Sequence, residues 1–199
     1  AHSCGRPRCT SSDGATPPGS RLRWQQDRRQ QPALAPPMLP RRSPGPGESE
    51  PNVIGVCSDA NVAFQWFHAE DEDPVEVEAS RTLVRSAAHG TISLSVLDLT
   101  RYEVGNAFLH GRTKATAQQS ARILDALARV CPVIVPTAAD LQDAARIAER
   151  HRLTMYDATY AAVARSRGAE LATLDKALLK AGLGRRPSEI VEMVRQEAE

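Results

Sequence analysis

The chain predicts an α/β fold, a three-layer α/β/α sandwich around a short, mostly parallel sheet, and three observations carry that prediction. Its β-branched apolar runs are too short for helices and almost free of polar residues, as strands covered on both faces are. Segments with helical spacing of apolar residues separate these runs, and such alternation of strand and helix is the pattern of parallel sheets. Gly and Pro residues that stop helices stand at most of the joints.

Residues 1–52 are set apart by composition. They hold 10 of the 14 prolines, 8 of the 25 Lys and Arg, 4 of the 24 Asp and Glu, and only three Leu, Ile or Val. So few apolar side chains cannot build a core, and Pro-Pro and Pro-Gly pairs without an apolar period predict a disordered or loosely polyproline-like leader. Its arginines offer either a weak electrostatic contact for nucleic acid or simply a solvated tail, and Met38 offers an internal start. A single folded domain is expected over residues 53–199, where 17 Lys and Arg face 20 Asp and Glu and leave the body mildly acidic.

Val53 to Cys57 reads as the first strand, followed by the polar pair Ser58-Asp59 and the helix-compatible segment Ala60 to Phe67. Pro74 suits the first turn of a second helix, with Val77, Leu83, Val84 and Ala87 inward, Glu76, Glu78, Arg81 and Arg85 toward water, and His89-Gly90 as its end. Residues 91–97 read as a strand or an apolar lead-in to a helix that starts at Asp98 or Leu99, runs to about His110 and is closed by Gly111. Within Ala115 to Val130, the residues Ile123, Leu124, Leu127 and Val130 form a helical stripe, and Pro132 then forces an exit into the strand Val133-Ile134-Val135. Thr137 can cap a helix to about Arg150 in which Leu141, Ala145 and Ala148 share a face. A helix from about Met155 to Arg167, stopped by Gly168, precedes a strand at Glu170 to Leu174. Beyond Asp175, Leu178-Leu179 can pack, residues 182–187 are loop-like, and Ser188 to Glu199 suits a helix or a last strand.

Several classes are excluded. No stretch approaches the roughly 18–20 consecutive apolar residues of a membrane helix, and the N-terminal segment holds no apolar signal core, so a soluble cytoplasmic protein with no membrane contact is expected. Cys4, Cys9, Cys57 and Cys131 show neither CxxC spacing nor the density of a disulfide scaffold, and Cys57 and Cys131, in or beside strands, read as core thiols.

In open α/β sheets chemistry gathers beyond the carboxyl ends of the strands, and two acids stand there: Asp59 after the first strand and Asp175 after the strand at 170–174. Glu103 and Asp157 join them as acids with apolar or aromatic neighbours. Each alone would pass as an N-cap, a helix-dipole partner or a surface charge. Together, converging carboxylates repel and need a cation. With no Cys or His in the set, the fitting cation is a hard one with oxygen ligands, Mg²⁺ or Mn²⁺, and the fitting chemistry is phosphodiester hydrolysis.

Ser58-Asp59-Ala60-Asn61-Val62-Ala63 after a strand, Glu103-Val104-Gly105-Asn106-Ala107 within a helix, Tyr156-Asp157-Ala158-Thr159-Tyr160 opening a later helix, and Thr173-Leu174-Asp175-Lys176-Ala177-Leu178 resemble the four acidic motifs of PIN-domain ribonucleases. Within them the chain is most similar to the VapC toxins of type II toxin–antitoxin systems. Successive acids stand 44, 54 and 18 residues apart, in the family's order, over about residues 53–185. The resemblance implies a mostly parallel sheet of about five strands, a homodimer, a VapB-type antitoxin partner, and a metal-dependent endoribonuclease acting on tRNA, rRNA or mRNA. Asp59, Glu103, Asp157 and Asp175 would then hold one or two Mg²⁺ or Mn²⁺ ions and position the attacking water. Thr173 would hydrogen-bond behind them, and Asn61 would cap the first helix or support Asp59. Two features depart from the family pattern: the 52-residue leader, and Ser58 where an apolar residue such as Val is commoner.

His68, His89, His110 and His151 fall at helix ends, where an imidazolium suits the dipole, and no catalytic histidine is expected. Val62, Phe64, Trp66 and Phe67 are more apolar surface than one helix face needs, leaving a patch suited to a dimer or an antitoxin helix. Arg101, Arg112, Lys114, Arg165 and Arg167 are the RNA-contact candidates near the acids, on a body whose net charge favours only weak non-specific binding. The alternative function is a catalytically silent PIN scaffold that binds RNA or a protein partner, against which the presence of all four acids speaks. An aspartate-nucleophile phosphatase needs a second Asp two residues after the first, and Asn61 stands there instead.

Overall fold

β1 (Ile54–Ser58) lies inside a parallel sheet, between β2 (Ile92–Leu97) and β4 (Glu170–Ala172), and β3 (Val133–Ile134) completes the order β3-β2-β1-β4. The computed structural model describes residues 53–70, 72–111 and 113–197; the expected leader, residues 1–52, and Arg112 lie outside them. The helices in chain order are α1 (Ala60–Gln65), α2 (Pro74–Ala88), α3 (Asp98–His110), α4 (Ala117–Val130), α5 (Ala138–His151), α6 (Met155–Ser166), α7 (Lys176–Lys180) and α8 (Pro187–Glu197). Among the described residues, no helix is long and apolar enough to cross a membrane.

The strand pattern makes the layers. Successive side chains of β1 point to opposite faces: Cys57 joins a core cluster with Leu97, Ala144, Ile147, Ala161 and Leu171, under α5 and α6, while Val56 joins Val62, Leu83, Leu94, Val96 and Ile190, under α1, α2 and α8. The segment 91–97 is a strand, paired on both edges, because Ile92, Leu94 and Val96 are buried in alternation with Ser93 and Ser95. A third cluster, Ala63, Val104, Phe108 and Leu127, seats α3 and α4 beside α1. Caps end these helices where the chemistry allows: Thr116 and Thr137 form capping boxes with Gln119 and Asp140, and Gly168 takes φ +60° after α6.

Four strands form among the described residues, against the expected five. The reason lies at Arg185, whose N–H donates to Leu171 O (2.8 Å) and whose carbonyl accepts from Thr173 N (2.9 Å). This is a single parallel bridge beside β4. Two residues on, Pro187 has no N–H to continue a ladder and a φ suited to a helix start, so the C-terminal segment is the helix α8.

Two helix faces differ from expectation. On α5 the buried residues are Asp140, Ala144 and Ile147, while Leu141 is 45% exposed, because the capping box turns Asp140 inward and carries Leu141 outward with it. On α2 Val77 and Leu83 are buried as expected, but so is Glu76. Its carboxylate accepts from Ser188 N (3.2 Å) and Ser188 Oγ (2.8 Å), with the Arg186 guanidinium 3.6 Å away. The aromatic group at the end of α1 and just beyond it is largely covered, with Phe64 against Phe108 at 4.6 Å between centroids.

Because Glu76 joins α2 to the start of α8, Glu76→Ala should lower unfolding free energy by about 1–3 kcal/mol by stranding the Ser188 donors. Urea titration checks this, and an unchanged midpoint would remove Glu76 from the forces that hold α8.

Candidate active site

Asp59 is where the site begins. It follows β1 directly, caps α1, and is only 3% exposed. Oδ1 accepts from Asn61 N (3.0 Å) and Val62 N (3.1 Å), two of the donors a helix start leaves unpaired, and Oδ2 accepts from the hydroxyl of Thr173. The Asp59 N–H donates to Ala172 O at 3.1 Å. Burial pushes the Asp59 carboxyl up to about 7, against the pull of these three hydrogen bonds, and the Glu103 charge pushes in the same direction.

Thr173, fully buried at the end of β4, serves two acids at once. Its hydroxyl donates to Asp59 and accepts from Asp175 N (3.0 Å). Asp175 in turn caps α7, with Oδ1 accepting from Ala177 N (2.8 Å) and Leu178 N (2.9 Å). Gly184 packs so close to this turn that a Cβ there would stand 2.5 Å from Thr173 Cγ2. Asn61 resolves its two expected roles: Asp59, not Asn61, is the cap, and Asn61 Oδ1 accepts from Leu174 N (2.9 Å), tying α1 to the turn that carries Thr173 and Asp175.

Glu103 reaches the same region from α3 and Asp157 from the first turn of α6. Burial raises the Glu103 pKa, the Tyr160 hydrogen bond offsets part of that, and the Asp157 charge adds to the rise. Glu103 Oε2 accepts from the Tyr160 hydroxyl at 2.7 Å. Asp157 Oδ2 accepts from Thr154 Oγ1 at 2.7 Å. Asp59 thus feels the charge of Glu103, and Glu103 that of Asp157, while Glu103 and Asp175 share the lining of a cavity of about 580 Å³ with Asn61, Phe64, Glu72 and Lys176. Tyr160, Glu72 and Lys176 escaped the sequence reading. Only Tyr160 carried a signal, since it stands three residues after Asp157 on the same helix face.

The basic candidates divide. Arg101 is exposed on α3, two residues before Glu103, and Lys114 is exposed in the turn after α3. Arg165 and Arg167 stand at the opposite end of α6 from Asp157, Arg165 paired with Asp143, so they do not flank the acids. Among the described residues, no basic side chain forms an ion pair with Asp59, Glu103, Asp157 or Asp175.

A donor set of carboxylate oxygens alone fits a hard divalent cation. Among the described residues, no three His, Cys, Asp or Glu side chains gather closely enough to hold an ion by themselves. The fit is therefore to Mg²⁺ or Mn²⁺ bound through one or two carboxylates and completed by water, the usual manner of Mg²⁺.

Comparison with known proteins agrees with this architecture. A family model described as PIN domain matches residues 56–183. Among solved structures the fold is similar to that of PAE2754 from Pyrobaculum aerophilum, at 24% identity and TM-score 0.54, covering 72% of this chain and 96% of that one. It is also similar to a toxin–antitoxin complex from Klebsiella pneumoniae, at 17% identity and TM-score 0.50, covering 66% of this chain and 97% of that one. No curated protein matches the chain.

A carboxyl raised by burial binds its proton more tightly in the folded state, so its contribution is full below the unfolded pKa and is lost as pH rises through the folded one. In chelator, the protein should lose stability between pH ~4 and about 7, with Glu103 adding the same sign. Asp59→Asn should flatten that slope, and urea titrations at several pH values read it; parallel slopes for the two proteins would contradict the assignment.

Proposed function

The chain belongs to the PIN-domain family, and on that premise we propose that it is a Mg²⁺- or Mn²⁺-dependent endoribonuclease, hydrolysing RNA phosphodiester bonds as the toxin of a toxin–antitoxin pair. The observation that carries this reading is the gathering of acids beyond the carboxyl end of the sheet: Glu103 and Asp175 line one cavity, the Glu103 charge raises the pKa of Asp59, and the Asp157 charge raises that of Glu103. The activity is assigned to residues 53–199, with no part for the leader.

Asp59, Glu103, Asp157 and Asp175 would hold the ion or ions. Bound there, a divalent ion supplies Lewis acidity that stabilises charge on a phosphate and lowers the pKa of a coordinated water. Asp59 is kept in place by Val62 N, Asn61 N and Thr173, so it brings a carboxylate that needs no reorientation. Asn61 and Thr173 hold Asp175 in register with it. Beside these acids, the cavity of about 580 Å³ offers room for a nucleotide, with Phe64 as an apolar wall and Lys176 as a cation for a phosphate. Arg101 and Lys114, and Arg112 by its place in the sequence, are the proposed RNA contacts.

A VapB-type antitoxin and a second copy of the chain are the proposed protein partners, in a cytoplasmic setting. The Klebsiella pneumoniae neighbour, itself a toxin–antitoxin complex, supports an antitoxin. So does exposed apolar surface on the chain. Tyr102, Val135, Leu141, Met155 and Tyr156 surround a cavity of about 410 Å³, surface of the kind that protein partners cover.

Antitoxin-free protein should cleave a total RNA pool with Mg²⁺ or Mn²⁺ and not with chelator, and Asp59→Asn and Glu103→Gln should each lose about 100-fold or more of that rate. Folded protein that cleaves with neither metal would leave the silent scaffold as the better reading.

A further inference from the structure

The Tyr160 hydroxyl is nearly sealed from solvent, its residue being 2% exposed, yet it touches the acidic cluster. It lies 2.7 Å from Glu103 Oε2 and 2.9 Å from Thr100 Oγ1, itself fully buried. The direction of this chain follows from proton counting. A tyrosine has one hydroxyl proton, and an ionised Glu103 can only accept, so the proton of Tyr160 goes to Glu103. Thr100 must then donate to Tyr160. The two hydroxyls form a directed relay, Thr100 to Tyr160 to Glu103, between helices α3 and α6.

We propose that Thr100 and Tyr160 are positioning residues that fix Glu103 for catalysis, anchoring Oε2 so that Oε1 is the oxygen offered to the cavity. Thr100 stands one turn before Glu103 on α3, and Tyr160 one turn after Asp157 on α6. The relay therefore does more than orient one side chain. It sets Glu103 against Asp157 by hydrogen bonds that run from α3 to α6. Hydrogen bonds behind a ligand carboxylate hold it in the orientation its cation needs, and their loss typically costs about 10- to 100-fold in affinity or activity.

The inference rests on the nuclease reading, so the test uses Mn²⁺ binding to the metal-free full-length chain, followed by electron paramagnetic resonance, beside cleavage kinetics. Tyr160→Phe keeps the ring and removes only the hydroxyl. It should weaken Mn²⁺ binding and lower kcat, each by about 10-fold or more, with KM for RNA unchanged. Thr100→Val should lose less, Thr100→Ser should recover most of that loss, and the double variant Thr100→Val with Tyr160→Phe should be no worse than Tyr160→Phe alone, as members of one chain of bonds are. Wild-type affinity and kcat in Tyr160→Phe would overturn the inference and leave the nuclease reading standing. Additive losses that track the melting temperature would overturn it too, reducing the pair to packing. Wild-type protein that binds no Mn²⁺ and cleaves RNA with neither Mn²⁺ nor Mg²⁺ would overturn both.

Discussion

Asp59 accepts the first N–H groups of α1 with one carboxylate oxygen and the Thr173 hydroxyl with the other, while its own N–H reaches back to Ala172. Three parts of the chain meet at this one residue: the start of α1, the end of β1 and the turn after β4. The same turn is fastened a second time by Asn61, through Leu174 N, and closed from behind by the tight approach of Gly184 to Thr173. A carboxylate that would be costly to bury alone becomes tolerable because every contact it makes is a donor. Structure and chemistry therefore draw on the same atoms.

The arrangement carries an electrostatic cost that the fold does not relieve by itself. Burial raises the pKa values of Asp59 and Glu103, and neighbouring acids raise them further, with no ion pair to a described basic side chain in compensation. A scaffold indifferent to chemistry would have neutralised one of these positions, as buried carboxylates are otherwise rarely kept together. The sites with ordinary stabilising roles look different. Glu76, as buried as Asp59, has the Arg186 guanidinium within 3.6 Å and two donors from Ser188. The contrast between a compensated acid and uncompensated ones marks Asp59 and Glu103 as functional-site candidates rather than purely structural acids.

Much of the fold was legible because its joints are local. Pro74, Thr137, Gly111 and Gly168 act on their own backbone or the next turn, and the helices they bound fall where expected. What could not be read depends on distant partners. Glu76 looked solvated because Ser188 stands 112 residues away, whereas Leu141 looked buried through a local signal left unused: Thr137 and Asp140, three residues apart, form the capping box that turns Asp140 inward. The short strand ends follow the same logic, since the bridge at Arg185 needs β4 already in place. In the site, the four acids and Thr173 could be listed from their motifs, but the clasp through Asn61 spans 113 residues and the Tyr160 contact to Glu103 spans 57. Pairings of that length leave no periodic trace.

The bond between Asp59 and Thr173 joins residues 114 positions apart, and this has a bearing on how the protein comes into being. Ribosomes deliver roughly 5–20 residues per second, so a growing chain carries Asp59, and then Glu103, for seconds before the strand that completes their surroundings exists. A nascent fragment ending before β4 has Asp59 and Glu103 without Thr173 and Asp175, and one ending before α6 lacks Asp157 and Tyr160 as well. A chain that stops before β4 therefore lacks both the Thr173 bond to Asp59 and the Asp175 carboxylate.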